Sequence, residues 1–453
     1  MRNFLTMLLV ALASMAGASA ADVISVEGGQ LQGVTCATPD VVVFKGVPYA
    51  APPVGELRWR LPQPVVAWQG VRVCDNFGNA SVQAPHDPND GGYGLEFFET
   101  DAPFSEDCLY LNVWTPASAV GKPDSCLPVA MWIHGGAYTG GWSFEPEMDG
   151  EAWAQRGVIL VTVNYRLGVF GFLNHPLLTA EGGGHSGNYG TYDQAAALTW
   201  IRNNIAQFGG DPDNITVFGQ SAGAASVKNM VSSPLTRDMV SRAIIQSIGG
   251  IAPSFGADGS QQELDAKAKA KYDAVGLNTL EKLRAASWEE LNAAAGNAWA
   301  DPDAVVFRPH IDGVLLTEDF SSACFNSTIA DVPYMIGSCS DDMPGLAIGI
   351  QRFAEVRDSL SKHPTFVYYF DRKLPTDGRK ALMGAFHSSE LWYVFHTLAR
   401  CWRPFTEADY ELSTRMVDYW TNFCKTGDPN GPTVPHWPAS TKRTPIIHPL
   451  RLK

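Results

Sequence analysis

The five residues Gly219-Gln220-Ser221-Ala222-Gly223 are the stretch of the sequence best suited to chemistry. They follow the β-prone run NITVFG (Asn214 to Gly219) and precede the helix-compatible run AASVKNMV. G-x-S-x-G in that context makes a sharp strand-to-helix turn that lifts the serine oxygen above a sheet edge. Its glycines permit the strained backbone. Serine is a weak nucleophile until a base takes its proton, and the base needs a partner to orient it. Sites built on such a turn carry the three groups in chain order serine, acid, histidine.

Six histidines follow Ser221: His310, His363, His387, His396, His436 and His448. His387 stands out in Gly384-Ala385-Phe386-His387, just ahead of the helical run SSELWYVFHTL, because a loop position lets an imidazole reach over a sheet. His396 falls inside the helical pattern and reads as structural. For the acid, Asp341 and Asp342 follow the strand-like run VPYMIG, at the carboxyl end where sheet enzymes place their sites. Glu390 is the other candidate, but it sits too close to His387 in sequence to approach it easily. The oxyanion formed by attack on a carbonyl needs preorganised N–H donors. His134-Gly135-Gly136-Ala137 follows the run LPVAMWI, so the amides of Gly136, Ala137 and Ala222 are the expected donors.

The elements that must position these groups read as a layered α/β chain. LPVAMWI (Leu127 to Ile133), GVILVTVNY (Gly157 to Tyr165), NITVFG, RAIIQSI (Arg242 to Ile248), VPYMIG (Val332 to Gly337) and FVYYF (Phe366 to Phe370) are almost continuously apolar. Strands covered on both faces have that composition. YDQAAALTWIRNNIAQF (Tyr192 to Phe208) has apolar residues at helical spacing. The alternation implies a mostly parallel central sheet flanked by helices. Residues 258–297 are rich in Ala, Lys, Glu and Leu and contain no strand-like run, which predicts a helical insertion. Ser287 and Glu290 form a capping box there.

The N-terminus reads as an export signal. Arg2 precedes a short apolar run, and Ala18-Ser19-Ala20 supplies a small-x-small cleavage site. We expect residues 1–20 to be removed, leaving 21–453 as a single catalytic domain, secreted or periplasmic. No later stretch is long and apolar enough to span a bilayer, which takes about 20 residues. A net charge of −14 without a basic run argues against nucleic acid as a partner. Neither CxxC nor HExxH occurs, so no metal is expected, and no cofactor motif is present. Eight cysteines in an exported chain allow disulfides. Cys74 with Cys108, and Cys401 with Cys424, are the local pairs expected first.

Beyond these residues the chain resembles the type-B carboxylesterases, a family that includes cholinesterases and p-nitrobenzyl esterases. FGGDPDNITVFGQSAG (Phe208 to Gly223) is similar to the family's serine signature, and EDCLYLNVWTP (Glu106 to Pro116) to its second signature. FKGVPYAAPPVGELRWRLPQP, NYRLGVFGFL, GNYGTYDQAAALTWIRNNI and YWTNFCKTGDPNGP follow in family order. The resemblance runs from about Ile24 to the C-terminus. It implies an α/β-hydrolase fold and hydrolysis of carboxylic esters through an acyl-enzyme. It assigns the nucleophile to Ser221, the base to His387, the acid to Asp342, the oxyanion donors to Gly136, Ala137 and Ala222, and a supporting serine to Ser247. It makes Arg58 with Glu106, and Arg166 with Asp193, structural ion pairs.

Several positions depart from the family pattern. Asp342 stands where a glutamate is usual, so its loop must approach more closely. Gln220 replaces a glutamate beside the serine. Ser81 stands where a cysteine often bridges to the position of Cys108, so Cys74 would have to substitute or Cys108 pair otherwise. The 45 positions from Asp342 to His387 are few for the family, which implies a reduced helical wall and a more open pocket. No tryptophan lies between Gln83 and Glu106, which argues against a choline specialist. Tyr138, Trp142 and Trp392, with Phe97, Phe98 and Trp402, are candidate pocket aromatics. They suggest a small to medium apolar or aromatic ester. The rival from another class is an adhesion protein of the same fold, against which Ser221 and His387 both stand.

Overall fold

Strand β6 (Leu127–Ile133) shows why the central runs are apolar throughout. Val129, Met131 and Ile133 join one core layer, and Ala130 and Trp132 join the other. Alternate side chains point to opposite faces of a strand, so a strand covered on both sides must be apolar at every position. The same parity holds in β8 (Gly210–Gln220), β9 (Arg242–Gln246) and β10 (Tyr334–Cys339). There Val217, Ile245 and Ile336 face the first layer, and Phe218, Ile244 and Met335 the second. Burying each such aliphatic side chain contributes about 1.5–3 kcal/mol.

The structure is a computed structural model that describes residues 20–87, 92–97, 102–251, 259–298, 300–378 and 381–452. The remaining strands are β1 (Ala20–Val26), β2 (Gly29–Thr35), β3 (Val41–Pro48), β4 (Val71–Val73), β5 (Tyr110–Pro116), β7 (Ile159–Val163), β11 (Thr365–Phe370) and β12 (His448–Leu450). They form one sheet in the order β1-β2-β3-β5-β7-β6-β8-β9-β10-β11-β12, with β4 paired to β2. From β7 through β12 every pairing is parallel, and from β1 to β7 the path is antiparallel. The mostly parallel α/β sheet read from the sequence is therefore present, with an antiparallel N-terminal extension that the sequence reading did not resolve.

Helices cover both faces. Tyr189–Asn204 and Ala222–Ser232 pack on the first layer through residues such as Leu198, Ile201, Val227 and Met230. The long helix Glu407–Thr426 covers the second layer with Leu412, Met416, Trp420 and Phe423. Between 258 and 297 the described chain forms three helices: Gln261–Ala274, Leu280–Ala285 and Trp288–Ala295. The Ser287–Glu290 capping box is formed, and a second one joins Ser260 to Glu263. No described helix is long and apolar enough to cross a membrane. Phe98 and almost all of the expected signal segment lie outside the described residues.

The expected disulfides are not formed; all eight cysteines are free thiols. Burial pushes the Cys74 thiol up to about 12. Cys108 is buried too and interacts with the Ser81 hydroxyl. Cys401 approaches Glu96 while Cys424 lies against Thr216, which separates the second expected pair.

Candidate active site

Ser221 occupies the turn between β8 and the helix Ala222–Ser232 with φ 57° and ψ −125°. A non-glycine residue at positive φ is strained and must be held there by its surroundings. The Ser221 amide donates to the Gln246 carbonyl of β9 at 2.9 Å, and its own carbonyl accepts from Ala225 at 2.9 Å. The flanking glycines are required by space: a Cβ on Gly223 would sit 2.0 Å from the Ile133 carbonyl oxygen, and one on Gly219 would sit 2.5 Å from the Gly223 carbonyl carbon. The turn is thus locked between the ends of β6 and β9.

Asp341 and Asp342 divide the work at the end of β10. Asp341 accepts the Ala385 amide at 2.8 Å and pairs backbone to backbone with the same residue, fixing the loop that carries the histidine. Gly384 has φ 87°, and a Cβ there would lie 2.3 Å from the Asp341 carboxylate. Asp342, its side chain 3% exposed, places Oδ1 2.6 Å from His387 Nδ1. Burial raises the Asp342 carboxyl. The bond and charge of His387, the Ser247 hydroxyl and the Met343 amide outweigh that, leaving it below the usual aspartate value. The shorter side chain is accommodated because the Cys339 and Met343 amides, at 3.2 and 2.8 Å, draw the carboxylate into the turn.

His387 presents its other nitrogen toward the serine turn. Its Nε2 lies 3.3 Å from the Gln220 side-chain amide. The Ser221 hydroxyl has no hydrogen-bond partner among the described residues. Catalytic hydrogen bonds are often long without substrate and tighten when it binds. Glu390 does not reach the imidazole by a hydrogen bond. It is fully buried against Cys339 Sγ at 2.9 Å, with Ser247 Oγ and Gln246 Nε2 both at 3.4 Å. Burial raises its carboxyl above the usual range. Ser247 therefore bridges Asp342 and Glu390, at φ 59° directly after β9. His396 bonds the Ser413 hydroxyl at 2.8 Å, a structural role.

The loop after β6 runs against the turn at Gly135, where a Cβ would lie 2.9 Å from the Gln220 carbonyl oxygen and 3.2 Å from the Ser221 Cβ, and continues into Gly136 and Ala137. Their amides, like that of Ala222, donate to no described residue. Ala222 opens a helix, whose first N–H groups lack intrahelical acceptors and favour negative charge. His134 anchors this loop. Burial lowers its pKa to about 4, so the neutral ring bonds the Gly135 carbonyl at 2.8 Å and stacks on Tyr165 at 4.5 Å. The sequence reading gave His134 no role.

Three of the expected pocket aromatics, Tyr138, Trp142 and Trp392, are buried. Tyr138 is fully buried against Phe172, with its hydroxyl 3.3 Å from Ser226. Trp142 packs with Ala80, Ala102, Phe104 and Phe144. Trp392 stacks on Phe97 at 6.1 Å. Behind the histidine loop, Arg403 and Glu96 form a buried bidentate ion pair, with Nε and Nη2 each 2.8 Å from a carboxylate oxygen. Its guanidinium lies 5.3 Å from the Phe386 ring. No sequence motif marked this pair, because its partners are more than three hundred positions apart.

The model of the Carboxylesterase family matches residues 20–350 and 345–449. The chain belongs to the carboxylesterase family and is a carboxylic ester hydrolase. The esterase is 33% identical to the fumonisin B1 esterase of Sphingopyxis macrogoltabida, over 93% of this chain and 85% of that protein. It is 32% identical to the para-nitrobenzyl esterase of Bacillus subtilis, over 93% of each chain. Among solved structures, a thermophilic PNB esterase superposes with a TM-score of 0.80 at 29% identity, covering 95% of this chain and 96% of that one. The Geobacillus stearothermophilus carboxylesterase gives 0.77 at 31% identity, over 95% and 96% of the two chains. In the esterase both expected structural ion pairs are present: Arg58 Nε to Glu106 at 2.7 Å, and Arg166 Nη2 to Asp193 at 2.7 Å.

Proposed function

We propose that Ser221, His387 and Asp342 form the catalytic triad of an exported esterase acting on small to medium apolar or aromatic esters. The observation that carries this reading is the 2.6 Å contact between Asp342 and His387, at an imidazole that also meets the residue preceding Ser221. His387 takes the Ser221 proton as the hydroxyl attacks the ester carbonyl. The amides of Gly136, Ala137 and Ala222 receive the oxyanion. His387 returns the proton to the departing alcohol, and water repeats the two steps on the acyl-enzyme. Asp342 holds the Nδ1–H tautomer, leaving Nε2 to act as base. The Ser247 hydroxyl supports Asp342 by a hydrogen bond.

Export rests on Arg2, the apolar run and Ala18-Ser19-Ala20. Cleavage after Ala20 removes one residue of β1 and retains the Val23–Val26 pairing with β2. N-terminal sequencing of protein recovered outside the cytoplasm tests this, and an intact Met1 would overturn it. The triad is tested by hydrolysis of p-nitrophenyl esters, from acetate to long acyl chains, beside Ser221→Ala. Turnover that disappears in the variant and peaks at short or medium chains is the expected result. Turnover that survives in Ser221→Ala would overturn the assignment.

A further inference from the structure

Tyr93 reaches the histidine loop from a distant part of the chain. Its hydroxyl donates to the His387 carbonyl at 3.0 Å, across 294 positions of sequence. The short helix that carries it, Tyr93–Phe97, is fastened beside that loop by its other residues. Glu96 pairs with Arg403, whose guanidinium also holds the Pro375 and Leu382 carbonyls at 2.9 and 2.8 Å. Phe97 stacks on the Tyr93 ring at 5.8 Å and on the Trp392 ring at 6.1 Å. The phenol is thus presented to the loop by a buried ion pair and an aromatic stack.

The carbonyl that Tyr93 holds belongs to the central peptide of a tight turn. The Ser389 amide donates to the Phe386 carbonyl at 3.0 Å, and Ser388 has φ 77° whereas His387 is not at positive φ. A four-residue turn with positive φ at its third position alone is type II, which favours glycine there. Serine in that place is strained. Changing to type I would relieve the strain by turning the His387–Ser388 peptide through about 150°, which carries its carbonyl away from the phenol. The Tyr93 hydrogen bond therefore stabilises one form of the turn against the other. We propose that Tyr93 is a positioning residue: through the His387 carbonyl it holds the strained turn, and with it the imidazole in register with Asp342. This rests on the reading of His387 as the catalytic base. Small displacements of a catalytic group are costly in rate, so loss of Tyr93 acts on kcat and leaves substrate binding in place.

Tyr93→Phe keeps the ring that stacks on Phe97 and removes only the donor. On p-nitrophenyl butyrate it should lower kcat by about 3–10-fold, with KM changed by less than about twofold. The decisive comparison repeats the substitution in two Ser388 backgrounds. Ser388→Gly removes the strain, so Tyr93→Phe should then cost less than about twofold in kcat. Ser388→Ala keeps the Cβ and the strain but removes the serine hydroxyl, which also bonds the Tyr93 phenol. In that background the full loss should persist. An unchanged kcat in Tyr93→Phe, or an equal loss in the Gly and Ala backgrounds, would overturn the positioning role. So would a loss that disappears in Ser388→Ala, since it would trace to the hydroxyl contact and not to the turn. His387→Ala in the otherwise native chain separates the two levels. Turnover that survives it would overturn the reading of His387 as base, whereas turnover that vanishes there beside an unaffected Tyr93→Phe would overturn the role of Tyr93 alone.

Discussion

His387 Nδ1 and Asp342 Oδ1 lie 2.6 Å apart, joined across 45 positions of sequence by the end of β10 and the loop that Asp341 holds against it. A carboxylate in this position fixes the imidazole tautomer and stabilises the imidazolium formed during attack. Asp342→Asn keeps the shape but removes the charge, and favours the tautomer with the proton on the wrong nitrogen. We expect kcat to fall by about 10⁴-fold, measured on a p-nitrophenyl ester. A loss below about tenfold would mean that Asp342 does not serve as the acid.

Ser221→Ala should lower kcat by about 10⁵–10⁶-fold, leaving the residual rate that oxyanion donors and binding provide. Stoichiometric phosphorylation by an organophosphate, with the adduct found by mass spectrometry on the peptide containing Ser221, is the independent check. An adduct on another residue would move the nucleophile elsewhere.

Gln220 contacts His387 Nε2 at 3.3 Å with a neutral amide. Gln220→Glu puts a negative charge at that place, which favours the protonated imidazole. The acid limb of the kcat/KM profile should therefore move to higher pH, by about one unit. An unmoved limb would show that this contact is absent in the working enzyme.

Glu145 and Glu147 are buried after the loop that follows β6, with Glu145 accepting the Trp142 amide at 2.8 Å. Burial pushes Glu145 up to about 7, and burial together with the Glu145 charge pushes Glu147 well above the carboxylate range. Raised carboxyls bind protons in the native state that the unfolded chain has released. The resulting stability is present below the unfolded value and is lost as pH rises through the folded value. Glu147→Gln removes much of that loss. Its melting temperature relative to wild type should climb between about pH 5 and about pH 8, a swing on the order of 1–3 kcal/mol. A flat difference would show that burial does not raise the Glu147 carboxyl.

Arg166 and Asp193 are both nearly inaccessible, at 2% and 0% side-chain exposure, and are joined by two side-chain hydrogen bonds of 2.7 and 2.8 Å and by the Arg166 amide at 3.0 Å. Removing one partner leaves an uncompensated buried charge. Asp193→Ala should cost about 3–5 kcal/mol in chemical denaturation. A cost below about 1 kcal/mol would place the pair among those worth little.

The sequence by itself determined the parallel half of the sheet, because strands buried on both faces must be apolar at every position. It also determined the serine turn, because only glycine fits at 219 and 223. It pointed to His387 and to a carboxylate after β10 through chain order and family resemblance, and to the ion pairs of Arg58 and Arg166 through that resemblance. Chain order left Asp341 and Asp342 open and the resemblance assigned Asp342; tertiary structure adds that Asp342 faces the imidazole while Asp341 faces the Ala385 amide. It decided that Cys74 and Cys108 stay unbonded, and it turned Tyr138, Trp142 and Trp392 inward. It also paired Arg403 with Glu96. Each of these depends on where distant segments meet, and local periodicity, composition and motif spacing carry no record of that distance.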